Sequence, residues 1–310
     1  MPTSDGKVRI LAISGGGIRG IIPAVVLARI EKLTGKPIHQ SFDLVCGTST
    51  GGIIAAGLTM AKPLSGDQIL DLYLNHGRTI FSQSFWRKIR SLGKNLGPKF
   101  DGVGLASVLL GAFGDIKLED ALIPTFMPAY AIERRSPVFF RSWVPSAKPH
   151  TLVDVCMATS AGPTYFPPAC VNGDWYWDGG VINNNPALSG VIKACMRFGV
   201  HTRDCLVVSL GTGVNQAPIP HEKAMGWGNL GVVQPLLDVC LDGVSDLTHY
   251  QLCDLLPDKN YLALQTQLSE QNAEMDNVNP HNFADLIVKA RELVDSNSGR
   301  LAEFCERLQG

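Results

Sequence analysis

The sequence predicts an α/β fold with parallel strands, and three observations predict it. Two apolar runs, the β-branched Lys7 to Ser14 and the shorter Phe42 to Cys46, each end at a glycine-framed turn. Each turn opens an apolar run that reads as a helix. Strand, helix, strand and helix therefore follow one another within about sixty residues, which requires parallel strands joined by crossover helices. With 310 residues, 45% hydrophobic and 18% charged, the chain is long enough to bury a large core as one domain, expected over 8–310.

The elements follow in order. Lys7 to Ser14 reads as the first strand. Ile22, Val26, Ile30 and Leu33 place an apolar stripe on a helix from Ile21 to Leu33. Pro23 falls in its first turn, where a missing N–H costs little, and Thr34-Gly35-Lys36-Pro37 stops it. Phe42 to Cys46 is a second strand, and Thr50 to Met60 a helix of small and aliphatic residues that belongs in the core. Ala129 to Ile132 and Ser136 to Arg141 read as a strand pair around a polar turn. Leu152 to Ser160 is a short helix stopped by Gly162-Pro163. Trp175-Tyr176-Trp177 leads into Asp178-Gly179-Gly180. Asn185-Pro186 reads as N-cap and first residue of a helix to about Phe198. Leu206 to Leu210 is a buried strand ended by Gly211-Thr212-Gly213. The remainder is expected to be mainly helical, with one helix near Asn282 to Val294 and a last one from Ser298.

Composition excludes several functions. A net charge of −1 argues against bulk nucleic-acid binding, which needs a basic excess. The eight cysteines are scattered with no Cys-x-x-Cys pair, which fits buried free thiols and gives no zinc-ligand spacing. No metal and no cofactor is expected. The N-terminus lacks a basic segment followed by an apolar one, so no signal peptide is expected. Gly51 to Ala61 is too short to span a bilayer, so any membrane contact is expected to be peripheral.

Gly47-Thr48-Ser49-Thr50-Gly51 places Ser49 on a tight strand-to-helix turn, with Gly47 and Gly51 where a Cβ would strike neighbouring backbone. The hydroxyl then stands at a helix N-terminus, which favours developing negative charge. The plainer reading is a serine that caps the helix. Gly15-Gly16-Gly17-Ile18-Arg19-Gly20 can aim several N–H groups at one oxygen and so form an oxyanion hole. Arg19 either anchors that loop or is a solvated first-turn cation. Gly15-x-Gly17-x-x-Gly20 also fits a dinucleotide-binding turn. That fold wants an acid at the end of the second strand, whereas Asp43 begins it.

Asp178 is the candidate base, with Gly179 and Gly180 as its turn; the alternative is a turn aspartate bonded to its own backbone. The seven histidines (39, 76, 150, 201, 221, 249 and 281) lie in less persuasive contexts. A direct Ser49–Asp178 dyad is therefore preferred over a Ser-His-Asp triad of α/β-hydrolase type.

Between Phe81 and Lys99, Phe81, Phe85 and Trp86 mix with Arg87, Lys88, Arg90, Lys94 and Lys99, with no acid. That stretch is a candidate cap, within 77–117, for anionic headgroups or a nucleotide phosphate. Its plainer reading is a solvated helix and loop.

Taken in order, Gly15–Gly20, Gly47-Thr-Ser-Thr-Gly-Gly52 and Asp178-Gly-Gly180 resemble the patatin-like phospholipases. Ala158 to Pro168, Asn184-Asn-Pro-Ala187 and Ser209-Leu-Gly-Thr-Gly213 are similar to further segments of that family, with Gly162 where a second alanine is expected. The resemblance implies a three-layer α/β/α fold with a mostly parallel sheet and metal-independent release of fatty acid from membrane glycerophospholipids. By position it makes Ser49 the nucleophile, Asp178 the base and the Gly15–Gly20 loop the oxyanion hole. The short form is also similar to bacterial antiphage effectors that a cyclic dinucleotide switches on. That likeness implies a cytoplasmic protein that meets the inner face of the membrane when active. No residue is assignable to a nucleotide pocket by spacing, and an oligomer is compatible with the sequence. A non-catalytic lipid-binding or storage protein of the same fold is the remaining alternative.

Overall fold

A computed structural model describes residues 6–82, 97–228 and 231–309. Its eight-stranded sheet runs in the order β5-β6-β3-β2-β1-β7-β8, with β4 also paired to β3. The strands are β1 (Val8–Ile13), β2 (Leu44–Gly47), β3 (Thr125–Ala131), β4 (Ser136–Arg141), β5 (Ala169–Val171), β6 (Asp174–Asp178), β7 (Cys205–Leu210) and β8 (Tyr261–Leu264). The run β3-β2-β1-β7-β8 is parallel; β4, β5 and β6 join antiparallel.

Alternation along β1 explains the three layers. Leu11 and Ile13 enter a core on one face; Val8, Ile10 and Ala12 enter a second core on the other. The first core is closed by the helices Ile21–Thr34, Thr50–Thr59, Gly66–Ile80, Leu152–Thr159 and Pro280–Ser296. The second is closed by the helix Ala187–Phe198 and the C-terminal end of the helix Val233–Leu255. Gly190 lets the former helix lie close to the sheet, since a Cβ there would sit 3.1 Å from Cys46 Sγ and from Ile10 Cγ2.

The predicted elements and the observed ones differ in four places. β3 begins at Thr125, four residues earlier than expected, because Pro128 sits inside it and reads against a strand. β5 pairs with β6 as a hairpin whose first strand, three residues long, shows no alternation in the sequence. β8 breaks the expected all-helical C-terminal region, its four residues being too few to show a period. The helix after Asn185 starts at Ala187, and Asn185 Oδ1 accepts from the Ala187 N–H at 3.1 Å, so Asn185 caps from one residue further out.

Register sets the site. Ile13 lies opposite both Gly47 and Leu210, so the turns after β1, β2 and β7 leave one edge of the sheet together. Cys46 lies opposite Phe126, and further along β3 Ala129 lies opposite Asp178, so β3 stands between the strand that leads to Ser49 and the strand that ends at Asp178. Ligands of open α/β sheets bind at this carboxyl edge.

Candidate active site

Ser49 stands between β2 and the helix Thr50–Thr59 with φ +53° and ψ −122°. A side chain there is strained, and the turn is held from several directions. Thr159 Oγ1 accepts from the Ser49 N–H at 3.1 Å and donates to the Pro128 carbonyl at 2.6 Å. Thr48 Oγ1 donates to the Asn183 carbonyl at 2.7 Å. A Cβ on Gly47 would strike the Gly51 carbonyl, and one on Gly51 the Ile13 carbonyl. Close approach of backbone explains both glycines.

Asp178 ends β6, buried at 8% exposure. Its Oδ1 accepts from the Gly180 N–H at 2.6 Å, and the Ser49 side chain lies near enough to the carboxylate to favour its charged form. Burial pushes its pKa up to about 7, against the pull of the Gly180 hydrogen bond and, more weakly, of Ser49. Its own N–H donates to the Ala161 carbonyl at 3.0 Å, and the Gly179 N–H donates to Thr159 at 3.2 Å. Ser49 and Asp178 are thus tied to the same short stretch of chain, residues 159–161.

The glycine loop divides. The Gly15 N–H is committed to the Asn184 carbonyl at 3.1 Å, so Gly15 leaves the expected set of open donors. Its carbonyl accepts from Thr212 Oγ1 at 2.6 Å, which fixes the loop. Among the described residues, neither the Gly16 nor the Gly17 amide donates a hydrogen bond. Gly17 has φ +60°, and a Cβ there would meet the Met275 carbonyl. Gly20 packs under Thr50 and Tyr73 instead of facing the cavity. Arg19 is buried, not solvated, and its Nε donates to the Gly16 carbonyl at 3.2 Å. Burial lowers its pKa, while the charge of Asp242 opposes that most strongly.

Ser49, Asp178 and Gly17 line a cavity of about 240 Å³ whose walls include Ile53, Ile80, Phe81, Leu105, Phe166 and Leu241. Phe81, Phe100 and Phe166 pack with ring centroids 5.5 to 5.9 Å apart. No histidine lines this cavity; His249, for example, pairs with the Tyr261 hydroxyl. Ile80, Phe81 and Leu105 belong to the expected 77–117 cap. Phe85, Trp86, Arg87, Lys88, Arg90 and Lys94 lie outside the described residues. Lys99 pairs with Asp276. Among the described residues no cluster suits a metal ion.

Thr159, Asn184 and Thr212 belong to no motif of their own; each lies within three residues of a glycine or proline, and each holds a glycine turn or the serine.

A serine on a strained turn and a buried carboxylate that line one apolar cavity at the carboxyl edge of a parallel sheet, beside open amides, fit the class of acyl hydrolases. The family model for patatin-like phospholipase matches residues 11–191. "Patatin-like protein 2" of Oryza sativa subsp. indica is 32% identical over 97% of this chain and 87% of its own length. "Patatin-1-Kuras 2" of Solanum tuberosum is 31% identical over 83% of this chain and 78% of its own. Among solved structures, VipD from Legionella pneumophila aligns over 96% of this chain and 69% of its own, at 13% identity and a TM-score of 0.43. The chain belongs to the patatin-like phospholipase family. It is a lipid acyl hydrolase, a carboxylic ester hydrolase.

Proposed function

We propose that this protein releases fatty acids from membrane glycerophospholipids through a Ser49–Asp178 dyad, with the Gly16 and Gly17 amides as oxyanion hole. The observation that carries the reading is that Ser49 and the buried Asp178 line the same apolar cavity and are both held by residues 159–161. The acyl chain lies along Ile53, Phe81 and Leu241, and the ester carbonyl points at the two amides. Asp178 takes the Ser49 proton as Oγ attacks. The proton passes to the departing lysolipid alkoxide, and water then cleaves the acyl-enzyme with Asp178 again as base. General-base help contributes about 10²–10⁴ in rate. Each oxyanion donor contributes a further ~10²–10³. A pKa of about 7 leaves a useful fraction of the base ionised near neutrality while it remains able to return a proton.

Residues 8–310 act as one domain in this reading, supported by the last helix, Ser298–Gln309, packing against the helix Ile21–Thr34. Membrane contact is peripheral. No helix among the described residues is long and apolar enough to cross a bilayer. The helix Val233–Leu255 supports a docking face, since Leu237 and Leu241 line the cavity while Val233, Leu236, Leu247 and Tyr250 are exposed on a stripe of helical period. Activation by a cyclic dinucleotide rests on the resemblance to the antiphage effectors.

Lipid mass spectrometry of glycerophospholipid vesicles tests the proposal. The expected result is fatty-acid release by the wild type and loss of at least about 10³-fold in Ser49→Ala and in Asp178→Asn, because the groups act as a unit. Near-normal release by Asp178→Asn overturns the dyad. A panel of cyclic dinucleotides added to the same assay tests the activator; unchanged release with every member removes it.

A further inference from the structure

Ser160 has no part in the dyad as described, yet its hydroxyl is the odd polar group of the cavity. Ser160 is 6% exposed and lines the same cavity as Ser49 and Asp178. Its Oγ is buried and has no hydrogen-bond partner among the described residues. The neighbouring hydroxyls are engaged: Ser49 with Asp178, and Thr50 with Tyr73. A buried hydroxyl left without a partner destabilises the fold, so such a group in a reactive cavity points to a ligand that completes it.

Backbone geometry places that ligand. Thr159 on one side of Ser160 accepts from the Ser49 N–H, and the Ala161 carbonyl on the other accepts from the Asp178 N–H. Ser160 is therefore held between the two reacting residues. Asp178 Oδ1 is occupied by the Gly180 N–H. Oδ2 faces the 160–163 turn, where a Cβ on Gly162 would lie 3.6 Å from it. Ser160 makes no direct bond to that oxygen, and both residues line the same cavity, where one small molecule can meet the two.

We infer that Ser160 positions the hydrolytic water of deacylation against Asp178 Oδ2, an assignment that rests on the dyad reading above. The Ser160 Oγ accepts from one water hydrogen and neither gains nor loses a proton. The other water proton passes to Asp178 as the water oxygen bonds to the acyl carbon. The bond from that carbon to Ser49 Oγ breaks, Oγ recovers the proton from Asp178, and the free carboxylic acid leaves. The first half-reaction uses no water and does not need Ser160.

Stopped-flow hydrolysis of a p-nitrophenyl ester by the whole protein, with intact-mass detection of acylated Ser49, separates the two halves. In Ser160→Ala the expected burst rate is within about twofold of wild type. Steady-state turnover falls on the order of 10²-fold, as for a misplaced reactant, and acyl-enzyme accumulates. The melting temperature is no lower than wild type, since an unpartnered hydroxyl has been removed. Ser160→Thr, which keeps a hydroxyl, restores turnover. Burst and turnover falling together, neither falling, or a lowered melting temperature with loss of the burst overturns the assignment. If a fluorophosphonate probe forms no adduct at Ser49 of the wild type, the dyad reading falls with it; if that adduct forms and Ser160→Ala turns the ester over normally, only Ser160 loses its role.

Discussion

At Asp178, burial outweighs two hydrogen bonds, and the carboxyl sits near pKa 7 instead of its ordinary 3.8. Two consequences follow from the sign. As a base it must be ionised, so kcat/KM is expected to rise with pH and level off above about 7. A profile flat from pH 5 to 9 would contradict this. For stability, the folded state keeps the proton between 3.8 and about 7 while the unfolded state has lost it. Wild-type stability relative to Asp178→Asn therefore falls as pH rises through that window and is constant above it. Denaturant titrations of both proteins at several pH values read that difference. Ser49 carries strain of a different kind. Its φ of +53° suits glycine, so Ser49→Gly is expected to be more stable than Ser49→Ala by roughly 1 kcal/mol, although both are inactive. Equal stabilities would show that the turn does not strain the serine.

At the scale of elements, the first two strands and their helices are legible because each couples an apolar run, a glycine turn and a second apolar run. Pro128 hides the first half of β3, and β5 and β8, at three and four residues, are too short to show alternation. After Gly213 the sequence predicts mainly helix, which describes the helix Val233–Leu255 but not its use. That helix carries Asp238, Asp242, Asp246 and Asp254 and no lysine or arginine. Its exposed stripe includes Leu236 at 56% and Leu247 at 55%. Docking through it is expected to depend on apolar burial and little on salt. Sedimentation with zwitterionic vesicles should show binding that persists in high salt and weakens at least about tenfold in the double variant Leu236→Glu, Leu247→Glu. Unchanged sedimentation of that variant would remove the helix from the membrane contact.

Across the whole molecule, sequence motifs named the groups and the sheet assembled them. Glycine-rich turns are legible because each is local: strand, turn and helix lie within a few residues. What brings Ser49 and Asp178 to one cavity passes through β3, whose pairing with β2 on one side and β6 on the other is set by tertiary contacts. The same holds for the supports. Thr212 reaches Gly15 and Thr159 reaches Ser49 across the fold, so no local pattern announces them. Even the glycine loop was only partly legible: spacing could not tell that Asn184 takes the Gly15 amide and leaves those of Gly16 and Gly17 open.

The catalytic reading depends on the proposed Ser49–Asp178 dyad, and covalent labelling by a fluorophosphonate probe measures it most directly. The account predicts a single adduct on Ser49, formed at a rate that rises with pH through about 7 and that drops by at least about 10²-fold in Asp178→Asn. An adduct on another residue, or labelling of Ser49 at the wild-type rate without the Asp178 carboxylate, would contradict it.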